Sequence, residues 1–528
     1  MLVALLALAT QTRAALSPAP TAPRPNVVLI MADDMGFSDI GPFGGEISTP
    51  NLDKLAAGGI RLRQFYNGAR CCPTRAALLT GLYAHQAGVG HMVDDKGDPA
   101  YQGYLNDKCA TIAEVLGASG YQTLMSGKWH VGEKPGRWPA DRGFEHSYSL
   151  ISGASNYWKL DKGRTFAIDH QSTDPTTEPD FHLTDGFTRQ AVKYITDAAP
   201  AAKAGKPFFL YLAYTAPHWP LHARPADIEK YRGKYMGGWD KLREARLKRQ
   251  IELGVVPAGT KLTPRDEKAP AWDSLSQEQR VAFDLKMAVY AAQVEQMDRG
   301  IGQVMKALAD GGVADNTLML FMADNGGCAE AVDRGEVKDA PPGPKESFKS
   351  YGLPWANASN TPFRLYKHWV HEGGIASPFI AYWPGRVKAN AWGDEPAHLI
   401  DVMPTLVELA GASYPKERGG KPITPMEGRS MVPVLTGAAA GPLPERPIFW
   451  EHEGHRAVRL GNWKLVAKGN GPFELYDMAT DRIEENDLAA KQPAKLAEMK
   501  ALYQAWAQRV GVKAPGSFKK KAGGEKAE

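Results

Sequence analysis

Four runs of apolar and β-branched residues along the chain each end on side chains that can ionise or bind a metal. Residues 26–32 (NVVLIMA) run into Asp33 and Asp34, residues 207–214 (PFFLYLAY) lead to His218, and residues 317–323 (TLMLFMA) lead to Asp324 and Asn325. A shorter run, residues 121–125, leads toward Lys128 and His130. Unbroken apolar runs of this length read as strands buried on both faces. Helical periodicity falls between or after them, at residues 111–119, 281–309 and 398–410. Strands alternating with helices predict an α/β fold: a large, mostly parallel sheet sandwiched by helices. Ligands of such sheets bind beyond the carboxyl ends of the strands. Polar residues at four of those ends therefore predict a single site.

The pattern changes near residue 445. Short runs (PIFWEH, HRAVRLG, WKLVAK, FELYDM) alternate with Gly and Asn turns, and a helical stretch at 494–510 follows. This predicts a smaller antiparallel sheet with one packed helix. The expected division is a catalytic α/β domain over 26–440, a C-terminal subdomain over 445–512 and a disordered tail over 513–528. Residues 219–276, rich in Pro, Lys, Arg and Trp, read as an insertion near the mouth of the site. At the other end, MLVALLALAT is too short to cross a bilayer and is followed by small, Ala-rich residues, although no Lys or Arg precedes it. That predicts a signal peptide over 1–16 and export to the periplasm or outside the cell. No other segment is apolar and long enough for a transmembrane helix.

Charge adds an exclusion. The net charge is +4, from 63 basic and 59 acidic residues, so no global field points to nucleic acid. Any anion preference must be local. There are four cysteines, Cys71, Cys72, Cys109 and Cys328, too few for a disulfide scaffold. The adjacent pair is poorly placed to bond to itself. A Cys109–Cys328 bridge and two buried thiols both remain open.

Asp33, Asp34, Asp324 and Asn325 could each serve as a helix cap or a turn residue. At one sheet edge, however, three carboxylates repel unless a cation neutralises them. An all-oxygen donor set suits Ca²⁺ or Mg²⁺ rather than zinc. The stretch CCPTRAALLTG at 71–81 places Pro73 in the first turn of a helix and Gly81 at its end. Cys71 then sits at a helix N-terminus, where backbone N–H groups favour anions, and Arg75 lies one turn on. A soft thiol beside a hard-oxygen metal site is chemically mismatched. Cys71 is therefore not expected to act as a thiol.

The motif Cys71-Cys72-Pro73-Thr74-Arg75, with Thr80-Gly81, resembles the C-x-P-S/T-R…TG signature of type I sulfatases of the alkaline phosphatase superfamily. NVVLIMADDMG, SGKWHVG, TAPHWP, ADNGG and FRLYKHWVHEGGI extend the resemblance along the chain. It implies the fold of that superfamily and oxidation of Cys71 to formylglycine by a maturation enzyme. It also implies that Asp33, Asp34, Asp324 and Asn325 bind Ca²⁺, in preference to Mg²⁺, with an oxygen of modified Cys71. Arg75 is then expected to stabilise the aldehyde hydrate, Lys128 and His130 to lie beside hydrate and sulfate, and His218 and Lys367 to contact the sulfate and the leaving oxygen. No role follows for Cys72, His85, His91 or His371. The expected activity is hydrolysis of a sulfate monoester, arylsulfatase-like, on a small molecule or a carbohydrate. A phosphonate monoester or phosphodiester hydrolase of the same superfamily, and a non-catalytic binder of sulfated glycans, are the competing readings.

Overall fold

The computed structural model describes residues 24–337, 339–438, 441, 443–514 and 516–518. The expected signal peptide at 1–16 lies outside these, as do residues 519–528 of the expected tail. The eleven-stranded main sheet contains, in chain order, β1 (Asn26–Asp33), β2 (Ile60–Tyr66), β3 (Gln122–Lys128), β4 (His146–Leu150), β5 (Phe166–Ile168), β6 (Gln171–Thr173), β7 (Phe208–Pro217) and β8 (Thr317–Ala323). The strand Ala376–Tyr382 also belongs to it, with two short strands beside β2. At its centre β8, β1, β7, β3 and β4 lie side by side and parallel. Their carboxyl ends therefore share one edge.

β1 shows why the central strands are apolar throughout. Val28, Ile30 and Ala32 enter one core while Val27, Leu29 and Met31 enter the other, so both faces are covered. The helices are α1 (Pro50–Gly58), α2 (Cys71–Thr80), α3 (Ile112–Ala118), α4 (Leu183–Lys203), α5 (Pro225–Glu229), α6 (Gly238–Glu252) and α7 (Gln277–Asp310), followed by shorter ones. α1, α4 and α7 contribute to the first core, while α2, α3 and the helix Val402–Ala410 contribute to the second. α3 and α7 begin with capping boxes, Thr111 with Glu114 and Ser276 with Gln279.

Much of the stretch 219–276 is core rather than mouth. Trp239 meets Trp272, Phe283 and Trp355 at ring-centroid distances of 4.8, 5.1 and 5.3 Å. Of that stretch, Trp219 lines the pocket over Cys71. All four cysteines are free and buried, with Cys109 in one core and Cys328 in the other.

The C-terminal sheet is antiparallel: Pro447–His452, His455–Leu460, Trp463–Ala467 and Glu474–Asp477, with the helix Pro493–Val510 packed on it. Phe449 and Trp506 stack at 4.9 Å. The Trp450 indole N–H donates to the Asn67 carbonyl at 2.8 Å, tying this sheet to the loop just before α2.

Candidate active site

The site forms where the parallel strands end. Asp33 closes β1, Lys128 closes β3, His218 follows β7, and Asp324 and Asn325 follow β8. Asp34 and His130 have positive φ, 61° and 55°. Non-glycine residues enter this region at a cost, and such strain clusters at functional sites. Cys71 opens α2 and is buried, and Gly81, at φ 68°, ends that helix. Lys367 reaches the same place from the loop before Ala376–Tyr382.

These residues interlock. Lys128 Nζ donates to Asp33 Oδ2 at 2.6 Å, and Arg75 Nη2 reaches Asp324 Oδ2 at 2.8 Å and Asp33 Oδ2 at 3.3 Å. The Asp34 N–H donates to Asp324 Oδ1 at 3.2 Å, and Asn325 Nδ2 donates to Asp34 Oδ1 at 2.7 Å. Lys367 Nζ donates to Asp34 Oδ2 at 3.0 Å and lies 3.3 Å from His218 Nε2. His218 Nδ1 lies 2.6 Å from the Trp219 carbonyl, which can only accept, so Nδ1 carries a proton. The structure thus brings together every site residue predicted from the sequence. Cys71, Lys128, His130, His218 and Lys367 line one pocket.

Burial makes the charges here interact strongly. Desolvation pushes the Asp33 carboxyl up, but Lys128, His218 and Arg75 outweigh it and hold the group at about 2. Asp324 moves the other way: burial and the neighbouring Asp33 raise it well above the usual carboxylate range. Burial lowers Lys128, yet Asp33 raises it further, so it stays charged. Lys367 behaves alike, with burial opposed by Asp34. Burial depresses His130 and His218.

Three cations thus already face the three carboxylates, so mutual repulsion alone does not demand a metal. The unmet oxygens are more telling. Asp33 Oδ1 and Asn325 Oδ1 are buried without a hydrogen-bond partner, which is costly unless a ligand completes them. With Asp34 and Asp324 they form a set of hard oxygen donors, and such a set fits a divalent cation. Both ring nitrogens of His130 are likewise unpartnered.

Several participants had no role in the sequence reading. Glu330 pairs with Arg70 at 2.8 Å, accepts from the Trp219 indole at 2.8 Å and lies 3.8 Å from Lys367. Burial raises its carboxyl, but Lys367 and Arg70 outweigh that and hold it at about 2. Arg70, Met92, Gly153, Ala154 and Arg164 complete the pocket wall. Adjacency of Arg70 to Cys71 was the one signal available for any of these.

The sulfatase family model matches residues 25–412, about three-quarters of the chain. This chain belongs to the sulfatase family. A second model, of the C-terminal region of N-sulphoglucosamine sulphohydrolase, matches residues 363–508. This sulfatase is 35% identical to an uncharacterized sulfatase of Schizosaccharomyces pombe, over 94% of this chain and 96% of that one. It is 37% identical to an arylsulfatase of Klebsiella aerogenes, over 77% of this chain and 91% of that one. Among solved structures it superimposes on Ps i-CgsB, in complex with k-i-k-neocarrahexaose, with TM-score 0.69 and 25% identity, covering 94% and 95% of the two chains. The sulfatase is accordingly a sulfuric ester hydrolase, and its mixed α/β sheet with a small C-terminal antiparallel sheet is the fold of its structural neighbours. No helix among the described residues is long and apolar enough to cross a membrane.

Proposed function

We propose that the sulfatase hydrolyses sulfate monoesters, arylsulfatase-like, using a formylglycine made from Cys71 and a Ca²⁺ ion held by Asp33, Asp34, Asp324, Asn325 and the modified Cys71. The observation that carries this reading is the meeting of Cys71, at a helix N-terminus, with Lys128, His130, His218 and Lys367 beside two unpartnered carboxylate and amide oxygens. Formylglycine supplies a hydrated carbonyl carbon with two hydroxyls, one to attack sulfur and one whose ionisation expels sulfate. A bound calcium ion supplies positive charge against the sulfuryl oxygens.

The chain's own groups do the rest. Lys128 and Lys367, fixed in place by Asp33 and Asp34, present charge to the sulfuryl group without reorganising. Arg75 is fully buried, and its terminal nitrogens engage Asp324, Asp33 and the Lys128 carbonyl, so it holds the carboxylates and lysine beside the hydrate in register. Nε2 of His218 and Nζ of Lys367 hold a proton between them for the departing alkoxide. His130, with both nitrogens unpartnered, takes the proton of the second hydroxyl.

The substrate is a small-molecule or carbohydrate sulfate ester. Support for it comes from the arylsulfatase relative and from the carbohydrate complex of the structural neighbour. The apolar N-terminal run supports export, and modification requires a formylglycine-generating maturation enzyme.

Mass spectrometry of the Cys71 peptide, from protein produced with a maturation enzyme, tests the reading. A loss of about 18 Da from the unmodified cysteine peptide is expected. Chelation by EGTA should abolish turnover of aryl sulfates, and added Ca²⁺ should restore it. Full turnover with an unmodified Cys71, or with every divalent ion removed, overturns the reading. Faster cleavage of the phosphonate ester than of the sulfate ester of one aryl alcohol would instead assign the phosphonate activity.

A further inference from the structure

A second cluster of metal-competent side chains stands apart from the strand-end carboxylates. We propose that His91, His452 and Glu453 bind one transition-metal ion of the zinc class, which fastens the C-terminal sheet to the loop after α2 at the mouth of the active site.

The cluster is assembled from three parts of the chain. Strands Pro447–His452 and His455–Leu460 form a hairpin whose two turn residues, Glu453 and Gly454, have φ 49° and 86°. Both positive values mark a tight hairpin turn in which Asn, Asp or Gly is the usual first residue. A glutamate there projects from the tip. His368, with φ 86°, follows Lys367, and His91 belongs to the loop after α2.

His368, His452 and Glu453 place one potential donor atom each within 4.8 Å of one another. Hydrogen bonding then sorts their roles. The Gly469 N–H donates to His455 Nδ1 at 3.0 Å, so the proton of neutral His455 is on Nε2. That proton is given to His368 Nε2, 3.1 Å away, which leaves His368 protonated at Nδ1 and donating to Glu453 Oε2 at 2.6 Å. His368 therefore orients the carboxylate rather than offering it a lone pair. Ligating carboxylates are usually held in this way.

The other carboxylate oxygen, Oε1, faces two imidazoles. His91 Nε2 lies 3.2 Å from it and His452 Nε2 3.7 Å. Ligand atoms on a tetrahedral zinc are about 3.3 Å apart, close to both of these contacts. The His91 and His452 ring centroids are 5.7 Å apart, near the roughly 5 Å that two imidazoles on one such ion adopt. Asp94 Oδ1 stands 3.5 Å from His91 Nδ1, an ion-pair distance behind the ligand nitrogen. Imidazole nitrogens with one carboxylate suit zinc, not calcium.

His452 supplies the decisive observation. A charged His91 between Asp94 and Glu453 would satisfy those three groups without metal. His452 is fully buried, and neither of its ring nitrogens has a hydrogen-bond partner. A buried imidazole with two orphaned nitrogens, one aimed at a carboxylate, is what an ion would complete.

The test is Co²⁺ titration of the full-length, calcium-loaded protein, read by visible absorption, with Zn²⁺ competition and thermal melts. Because Cys71, Cys72 and His130 also converge within 4.8 Å, the titration is repeated in a Cys71→Ala background. One equivalent of Co²⁺ with the intense bands of a tetrahedral site is expected, unchanged in Cys71→Ala and in Asp324→Asn. His452→Ala and Glu453→Gln should remove the bands, and His368→Asn should weaken binding about 10–100-fold. Zinc should raise the melting temperature of the wild type and leave that of Glu453→Gln, a change at a partly exposed turn, where it was. The proposal is overturned by absent tetrahedral bands, by bands that survive both His452→Ala and Glu453→Gln, or by bands lost in Cys71→Ala or Asp324→Asn. Sulfatase activity is a separate readout, so the two readings fail independently.

Discussion

Thr74 shows how much one side chain can decide. Its hydroxyl accepts from the Gly68 N–H at 2.8 Å and donates to the Asp324 carbonyl at 2.6 Å, pinning the first turn of α2 to the end of β8. Only a small hydroxyl residue does both, which is a physical reason for Ser or Thr beside Pro73. His218 is where a residue-level prediction is sharpest. If it shares the proton for the leaving oxygen, His218→Gln should slow alkyl sulfates, which need that proton, by about 10²–10⁴-fold. Nitrophenyl sulfates, whose leaving group departs as an anion, should be slowed much less. The measurement is the dependence of kcat/KM on leaving-group pKa for both proteins. An equal loss on all esters would move His218 to a structural role. The acids, Lys128 and the histidines of the site were legible as residues because each follows an apolar run, whereas Lys367 follows none and was indicated only by the family resemblance. Glu330 was not, since its partners Arg70 and Lys367 are distant in sequence and meet it only across the pocket.

At the scale of elements, the strands carry precision that their ends then use. Gly127, at φ 131°, sits in β3 immediately before Lys128, and a Cβ there would lie 2.0 Å from the Ala213 carbonyl of β7. Backbone cannot yield as a flexible side chain would, so Gly127→Ala should separate β3 from β7. The expected result is a loss of at least about 1–3 kcal/mol in urea unfolding, with a drop in kcat as Lys128 withdraws from Asp33. Gly153 offers a milder case, because an added Cβ would meet the His130 ring at 2.5 Å. Gly153→Ala should reduce kcat at least tenfold while leaving the unfolding midpoint nearly unchanged. The apolar runs of β1, β7 and β8 announced themselves because both faces are buried. β2 (IRLRQFY) did not, since its arginines interrupt the apolar pattern and Arg61 is accommodated over the Trp392 ring at 4.2 Å. The strand Ala376–Tyr382 holds two residues, Ser377 and Pro378, that weaken its signal, and it pairs antiparallel with both β2 and β8.

Across the whole molecule, a buried ionic knot joins the two sheets. Lys464 of the C-terminal sheet contacts Glu372 at 2.8 Å and Glu484 at 2.7 Å, and Arg482 contacts Glu372 at 2.9 Å. Burial raises Glu372, but Lys464, Arg482 and Arg459 outweigh it and take the carboxyl from 4.5 to about 2. A carboxyl depressed in the folded state stabilises fully above its unfolded value and ceases to do so as pH falls through the folded one. Denaturant melts should therefore show stability falling between about pH 4.5 and pH 2. Lys464→Met leaves Glu372 and Glu484 short of a partner and should cost about 3–5 kcal/mol at neutral pH. It should also flatten that acid slope.

Local pattern was enough to declare an α/β sheet, the strand ends that matter and a cysteine out of place among hard oxygens, because burial on both faces and helix termini leave marks within a few consecutive residues. Pairings that depend on which distant segments become neighbours left no such mark. The order β8–β1–β7–β3–β4, the exchange of Lys128 with Asp33 and Lys367 with Asp34, the gathering of His368, His452 and Glu453 and the contact of His91 with Glu453 exist only after the chain has closed, since hydrogen bonds and ion pairs act over a few ångströms of space and are blind to separation along the sequence.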